Sequence, residues 1–228
     1  MWGLGLASDL CTPVTTLRFQ ARLPRPHGSK FPERFGLFVI IALGEAIVGV
    51  IGGVAESDPF SWRAGLAGML GLVLAFGLWW IYFDFIGRRG PKPGMWWLFG
   101  WMYLHMPLLM ATAAISAAVL HLLAHDTASA GVRWLLAGAL ALVLGAMGAI
   151  ETLLRRDPDE PTTVAASVGV KWAAGGGALL VGLVGQALPP LLFLGLLVPL
   201  LLPPMVYGAW VWFRQELAPE EFMPEIAD

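Results

Sequence analysis

ERFGLFVIIALGEAIVGV, residues 33–50, is apolar almost throughout but carries a glutamate, Glu45, near its centre. A helix needs about 20 consecutive, mostly apolar residues to cross the hydrocarbon core of a bilayer. This run meets that requirement when it is extended to residue 54, so 35–54 is the first predicted transmembrane helix. A carboxylate inside such a helix is expensive and usually functional, which makes Glu45 the strongest functional signal in the chain.

The composition of the whole chain is typical of a membrane protein. Of its 228 residues, 57% are hydrophobic and only 13% are charged, whereas soluble domains are about half apolar and about a quarter charged. The chain also has eleven tryptophans, a residue that collects at membrane–water interfaces. The net charge of −2 gives no electrostatic basis for binding nucleic acid.

Five further apolar runs are long enough to cross a membrane, and turn signals such as ESDPFS and RRGPKPG separate them. The six predicted spans are 35–54, 62–86, 95–124, 132–154, 168–188 and 191–213. The last span contains Pro199, Pro203 and Pro204, and it is predicted to be kinked or broken because proline cannot donate a backbone hydrogen bond. The predicted fold class is an all-α polytopic membrane bundle of six transmembrane helices, preceded by a partial N-terminal helix.

Lysine and arginine residues predict the orientation of this bundle. If successive connections alternate between the two sides of the membrane, twelve of these residues fall on one side and two, Arg63 and Arg133, on the other. Positively charged connections stay in the cytoplasm, so a multi-pass protein of the inner membrane with a cytoplasmic C-terminus is predicted. The chain then divides into a helix remnant with a basic cytoplasmic segment (1–34), the six-helix bundle (35–213) and an acidic cytoplasmic tail (214–228).

Three motifs in the first half of the chain resemble the bacterial low-temperature-requirement A family of membrane proteins. They are, in order, PERFGLFVIIALGEAIVGV, FGLWWIYFDFIGRR and YLHMPLLMATAAIS, and ASDLCTP before the basic segment resembles that family's helix end. Members usually have two related halves, and the resemblance implies that this chain is the second half with a remnant of the first. It implies a role under stress such as cold, without a biochemical activity.

Helix geometry predicts a partner for Glu45. Glu45 lies eleven residues past Arg34, or ~16 Å into a hydrocarbon core ~30 Å thick. His105 lies ten residues past Met95, ~15 Å from the same side. A carboxylate at this depth costs about 3 kcal/mol and must be paired, hydrated or protonated. We therefore predict that Glu45 and His105 form a buried pair.

Three further polar side chains are candidates for the same route. Thr112 and Ser116 follow His105 by seven and eleven residues, which places them on the same face of the third span. Asp84 precedes Arg88 by four residues, a spacing that predicts an ion pair at the inner interface. The family-like motif around Asp84 also makes it a candidate gate at the inner mouth.

Other ionisable residues carry weaker signals. Glu151 and Arg155 have the four-residue spacing of an ordinary helix pair, and we expect no further role for them. His121 and His125 lie near the outer surface without a carboxylate or cysteine cluster, so solvated histidines are expected rather than a metal site. Sequence motifs for phosphate binding, zinc hydrolysis and a serine nucleophile are absent. We expect neither a cofactor nor enzymatic activity.

The sequence leaves two classes of function open. In the first, a transporter or channel carries protons or small ions along a route made of Glu45, His105, Asp84, Thr112 and Ser116. In the second, a structural or stress-related membrane protein uses the same polar residues only to specify helix packing. A third class is an intramembrane enzyme that acts on lipid. Its only candidate acid–base groups are Glu45, His105 and Asp84. The lipid bilayer is the expected partner, and a second copy of the chain or a missing N-terminal half stays open.

Overall fold

A computed structural model of the chain describes residues 30–55, 61–125, 127–156 and 162–216, together with positions 5, 8, 12 and 15. Within these residues the fold is all-α. The helices are α1 (Lys30–Ala55), α2 (Trp62–Phe85), α3 (Met95–Ala124), α4 (Ala130–Leu153), α5 (Val164–Val184), α6 (Pro190–Leu197) and α7 (Leu202–Glu216). Most of the predicted N-terminal remnant and acidic tail lies outside the described residues.

Six segments of the described chain are long and apolar enough to cross a membrane, which confirms the predicted polytopic bundle. They are Phe31–Ala55, Trp62–Phe85, Met95–Ala124, Ala130–Leu153, Val164–Ala187 and Pro190–Arg214. The observed span boundaries differ from the predicted ones by at most four residues. This largest difference occurs at the starts of the first and fifth spans, Phe31 and Val164. Polar residues such as Glu33 and Ser167 lie in these first turns, where hydropathy alone does not recognise the helix.

The core of the bundle forms around α4, which is the most deeply buried span and packs against α3 and α5. Small residues allow the closest approach. A Cβ added to Gly175 on α5 would lie 3.2 Å from the carbonyl oxygen of Ala141 on α4, so a glycine at this position lets the two helices meet backbone to backbone. By contrast, α1 is the least buried span, and its main contacts are with α2 and α3.

The sixth span is interrupted as predicted. A 3₁₀ turn, Val198–Leu201, separates α6 from α7. Pro199 lies within this turn, and Pro203 and Pro204 lie in the first turn of α7. Proline is best tolerated in a first turn, because the backbone N–H that it lacks is least needed there. The span therefore stays helical along its length, with a short 3₁₀ turn between two α-helical segments.

One end of the bundle carries most of the positive charge, and we call it the basic end; Arg88, Lys92, Arg155 and Arg214 lie there. The α2–α3 connection is joined to the end of α4 at this end by an isolated antiparallel bridge between Pro91 and Leu154. The backbone N–H of Lys92 donates to Leu153 O at 2.9 Å, and its Nζ donates to Thr152 O at 2.8 Å. These bonds fix the end of α2 beside the end of α4.

Candidate intramembrane charged site

An ion pair is buried between α4 and α5 near the basic end. Lys171 Nζ lies 2.9 Å from Glu151 Oε2, and neither side chain is more than 1% exposed. Lys171 is the seventh residue after the start of α5 at Val164, or ~10 Å along the helix. Glu151 lies two residues before the end of α4. Both charges are therefore inside transmembrane helices and away from solvent.

The Lys171 ammonium is fully coordinated by protein groups. Besides Glu151, it donates to Ser167 Oγ at 2.7 Å and to Ser167 O at 3.3 Å, which accounts for its three donors. Its Nζ also lies 3.4 Å from the centroid of the Phe85 ring on α2, in cation–π geometry. The favourable contacts of this cation offset much of the free energy lost when it leaves water.

The Glu151 carboxylate is only half satisfied. Its Oε2 accepts hydrogen bonds from Lys171 Nζ and from Ser167 Oγ, both at 2.9 Å. Its Oε1 is buried and has no hydrogen-bond partner among the described residues. A buried acceptor without a donor is costly, so Oε1 is a ready position for a proton or for a donor group of a ligand.

Asp84 lies at the edge of this site. It is exposed, and its charge interacts with those of Arg89, Lys171 and, more weakly, Arg88. The predicted ion pair with Arg88 is not formed within the described residues, because α2 ends at Phe85 and the four-residue helical spacing does not continue to Arg88.

A glycine on α7 makes room for the Asp84 carboxylate. A Cβ at Gly208 would collide with Asp84 Oδ2. The carboxylate therefore lies directly against the interrupted sixth span, on the exposed side of the buried pair.

His105 is completely buried, but its partners differ from the predicted one. Its Nδ1 lies 2.7 Å from Trp101 O and its Nε2 lies 3.1 Å from Tyr82 Oη. Because a carbonyl can only accept, Nδ1 carries the donated proton and the neutral ring accepts from the Tyr82 hydroxyl at Nε2. The ring also packs on Phe35 of α1, with 4.8 Å between ring centroids.

The predicted Glu45–His105 pair is wrong for this structure. Phe35 contacts His105, and Glu45 lies ten residues further along α1, which is ~15 Å away along the helix axis. The same alignment of α1 with α3 places Gly49 of α1 beside Leu120 of α3. Glu45 is exposed on the outer face of α1 and forms no hydrogen bond or ion pair with any described residue. The depth estimate failed because α1 and α3 are shifted along each other by about ten residues relative to the predicted alignment.

Thr112 and Ser116 bond back to their own helix. Thr112 Oγ1 donates to Leu108 O at 2.9 Å, and Ser116 Oγ donates to Thr112 O at 3.0 Å. They line a narrow crevice against Leu43 and Ala46 of α1. The predicted route residues are therefore dispersed, and only Asp84 belongs to the charged site.

Residues 1–206 match the family model described as bacterial low temperature requirement A protein (LtrA). The chain belongs to the LtrA family. The match extends well beyond the three motifs of the first half and includes both Glu151 and Lys171. Comparisons with curated proteins and with solved structures gave no match. The family assignment therefore confirms the resemblance and adds no reaction or substrate.

Sequence reasoning missed the centre of the site in this LtrA-family chain. Lys171 lies inside the predicted fifth span, but it is only three residues past the predicted start at 168, or ~5 Å along the helix, so the depth argument that selected Glu45 did not select it. It was instead counted among the positive charges of the preceding connection. Glu151 was expected to pair with Arg155, but its partner is Lys171. Ser167 gave no signal, because a serine in the first turn of a helix is common.

The histidines at the opposite end form no part of this site. The rings of His121 and His125 stack with 4.3 Å between centroids, and both residues lie at the end of α3. No group of three His, Cys, Asp or Glu side chains that could hold a metal ion occurs in the part of the chain that the structure describes.

Proposed function

We propose that this LtrA-family membrane protein is a transporter or channel that handles protons or small ions, and that Glu151 and Lys171 are its charged site. The observation that carries the proposal is the buried Glu151–Lys171 ion pair with an unpartnered carboxylate oxygen. Ionisable residues within transmembrane helices are rare, and ion pathways and proton relays are among the roles that such residues serve.

The surroundings of the pair support this proposal. Asp84 provides a charged, exposed position next to the buried cation, at the basic end of the bundle. Gly208, which accommodates the Asp84 carboxylate, belongs to the interrupted sixth span. Interrupted helices line substrate and ion sites in many transporters. A charged pair, an exposed carboxylate and a helix with an internal 3₁₀ turn thus meet in one place.

We propose that the Lys171 cation exchanges partners between Glu151 and Asp84, whose charges both act on it. When Glu151 accepts a proton at Oε1, its charge is lost and its attraction for Lys171 weakens. Asp84 then becomes the stronger anionic partner of Lys171. Release of the proton restores the original pair, so the cation alternates between a buried and an exposed carboxylate as protons pass.

Proton flux into proteoliposomes that contain a pH-sensitive dye tests this proposal. We expect flux with the native chain and its loss in the double variant Glu151→Gln/Lys171→Gln, which removes both charges and keeps hydrogen-bonding groups at both positions. The matched control is Glu45→Gln, which removes an exposed carboxylate from another span and should leave flux unchanged. Preparations must be compared at equal amounts of folded protein. Undiminished flux in the double variant, or no flux in the native chain, would contradict the proposal.

A structural role is the second candidate, and the complete coordination of the Lys171 ammonium favours it. In this case the pair joins α4 to α5 and never exchanges partners. The double variant would then unfold more easily than the native chain, and neither protein would pass protons. The liposome and unfolding measurements together therefore separate the two candidates.

We also propose that the basic end faces the cytoplasm, because connections rich in lysine and arginine stay on that side. Labelling with a membrane-impermeant maleimide tests this orientation in a Cys11→Ser background. With Arg214→Cys, inverted inner-membrane vesicles should be labelled and intact spheroplasts should not; the opposite result would reverse the orientation. From the description of the family alone, we propose that the activity serves growth at low temperature, and loss of the gene should impair growth only in the cold.

A further inference from the structure

A cavity of about 530 Å³ opens at the basic end between the start of α1 and the end of α2, away from the Glu151–Lys171 pair. Ligand pockets in proteins typically measure about 300–1,000 Å³, so this one is large enough for a small molecule or for part of a lipid. Its wall is formed by two helices that approach the membrane surface, and it is open to the side rather than enclosed.

Two opposite charges line this cavity and do not satisfy each other. Glu33, in the first turn of α1, and Arg88, just after α2, both face it. Neither side chain forms a hydrogen bond or ion pair with another residue in the described ranges. A ligand that carries both a negative and a positive group would therefore find a complementary partner for each.

The remaining wall of the cavity is apolar. Leu37 and Ile40 extend along α1 from the charged rim, and the Phe83 ring closes the side formed by α2. Leu37 and Ile40 are about half exposed, at 53% and 45%. The apolar wall thus continues from the rim along the membrane-facing side of α1, where an acyl chain would lie.

We infer that this cavity binds a phospholipid with a primary-amine, zwitterionic headgroup. The phosphate contacts the Arg88 guanidinium, the ammonium donates to the Glu33 carboxylate, and an acyl chain packs along Leu37, Ile40 and Phe83. Charge-assisted hydrogen bonds of both signs give the headgroup its specificity. An anionic lipid without an amine would leave Glu33 unpaired beside a negative headgroup, and a choline lipid has no N–H to donate.

Native mass spectrometry of the full chain in detergent tests this site. The protein is mixed with equal amounts of dioleoyl phosphatidylethanolamine, phosphatidylcholine and phosphatidylglycerol. We expect the ethanolamine lipid to be retained about tenfold more than either of the others, since one charge-assisted contact separates them. Equal retention of the three lipids would overturn the inference.

Variants at the rim identify the contacts. Arg88→Gln should lower retention of the ethanolamine lipid about tenfold, and Glu33→Gln should abolish its advantage over phosphatidylglycerol. The matched control is Arg34→Gln, which removes a positive charge from an exposed residue of the same helix turn that does not line the cavity. Equal losses in Arg88→Gln and Arg34→Gln would show unspecific surface attraction and overturn the site.

A last arm distinguishes a lipid from a soluble ligand with the same headgroup chemistry. Soluble O-phosphoethanolamine, added in excess, should leave the bound lipid in place, because it lacks the acyl chain that contacts Leu37, Ile40 and Phe83. Displacement of the lipid would overturn the lipid assignment in favour of a soluble phosphoamine. The unfolding temperature of every variant is measured in parallel, so that loss of binding is read only from folded protein.

Discussion

Glu45 and Glu151 both lie inside transmembrane helices of this chain, in opposite environments. Glu151 is buried on α4 and paired with Lys171, whereas Glu45 is exposed on the outer face of α1 and has no partner among the described residues. The difference follows from their helices, since α4 is the most buried span and α1 the least. A place inside an apolar run therefore does not by itself decide the role of a carboxylate; the packing of the neighbouring helices does.

The exposed face of α1 has a further consequence. Ile41 and Val48 lie one turn to either side of Glu45 and are also exposed, as expected for a surface that contacts acyl chains. Lipid cannot hydrogen-bond a carboxylate, so this face of α1 is a costly position for Glu45 in contact with acyl chains.

Breaking the buried pair should have the largest effect. Lys171→Met leaves Glu151 buried without its cation, and loss of one partner from such a pair lowers the free energy of unfolding by about 3–5 kcal/mol. Denaturant titration of the purified protein in detergent measures this change.

The double variant Glu151→Leu/Lys171→Met is the control for that prediction. Replacement of a whole buried pair by apolar side chains is often nearly neutral, so most of the lost stability should return. If the double variant is as unstable as Lys171→Met, the damage comes from lost packing rather than from an unpaired charge.

Replacing the exposed carboxylate should act in the opposite direction. Glu45→Leu removes a group that costs about 3 kcal/mol at the centre of a transmembrane helix, so a glycosylation-based assay should show more favourable insertion of α1. The folded bundle should keep its stability, because Glu45 has no partner to lose. A loss of stability similar to that of Lys171→Met would mean that Glu45 is buried in the assembled protein.

The fold could be predicted from the sequence because the bilayer imposes it. A single segment that crosses the hydrocarbon core can satisfy its backbone hydrogen bonds internally only as a helix of sufficient length. The length of the apolar runs was therefore enough to find all six spans. The irregularity of the sixth span, a 3₁₀ turn in the structure, was predicted equally directly from Pro199, Pro203 and Pro204. The starts of α1 and α5 were missed by one turn, since polar residues in a first helical turn lower the hydropathy without ending the helix.

The site could be predicted only in part, because hydropathy carries little information on rotation or axial shift. The positions of six spans in the sequence do not show which way Glu45 faces or how α1 is aligned with α3. The predicted pairing of Glu45 with His105 required both pieces of information. Asp84 lies at the basic end because α2 ends there, but its predicted pair with Arg88 is not formed among the described residues, and its role as a gate stays a prediction. Lys171 was missed because the predicted fifth span starts four residues too late, which placed Lys171 close to the end of that span and left it in the positive-inside count of the preceding connection.

The smallest effect in this series is expected at the neutral buried cluster around His105. Tyr82→Phe removes the hydroxyl that faces His105 Nε2 and leaves that acceptor buried without a donor, which should lower the free energy of unfolding by about 1–2 kcal/mol. Thr112→Val is the matched control, because the Thr112 hydroxyl donates only to a carbonyl of its own helix. Its loss should cost about 0.6 kcal/mol or less, measured in the same denaturant titration. Equal losses in both variants would mean that the Tyr82–His105 bond adds nothing beyond ordinary helix packing, and the buried charge pair would then be the main polar determinant of stability in the bundle.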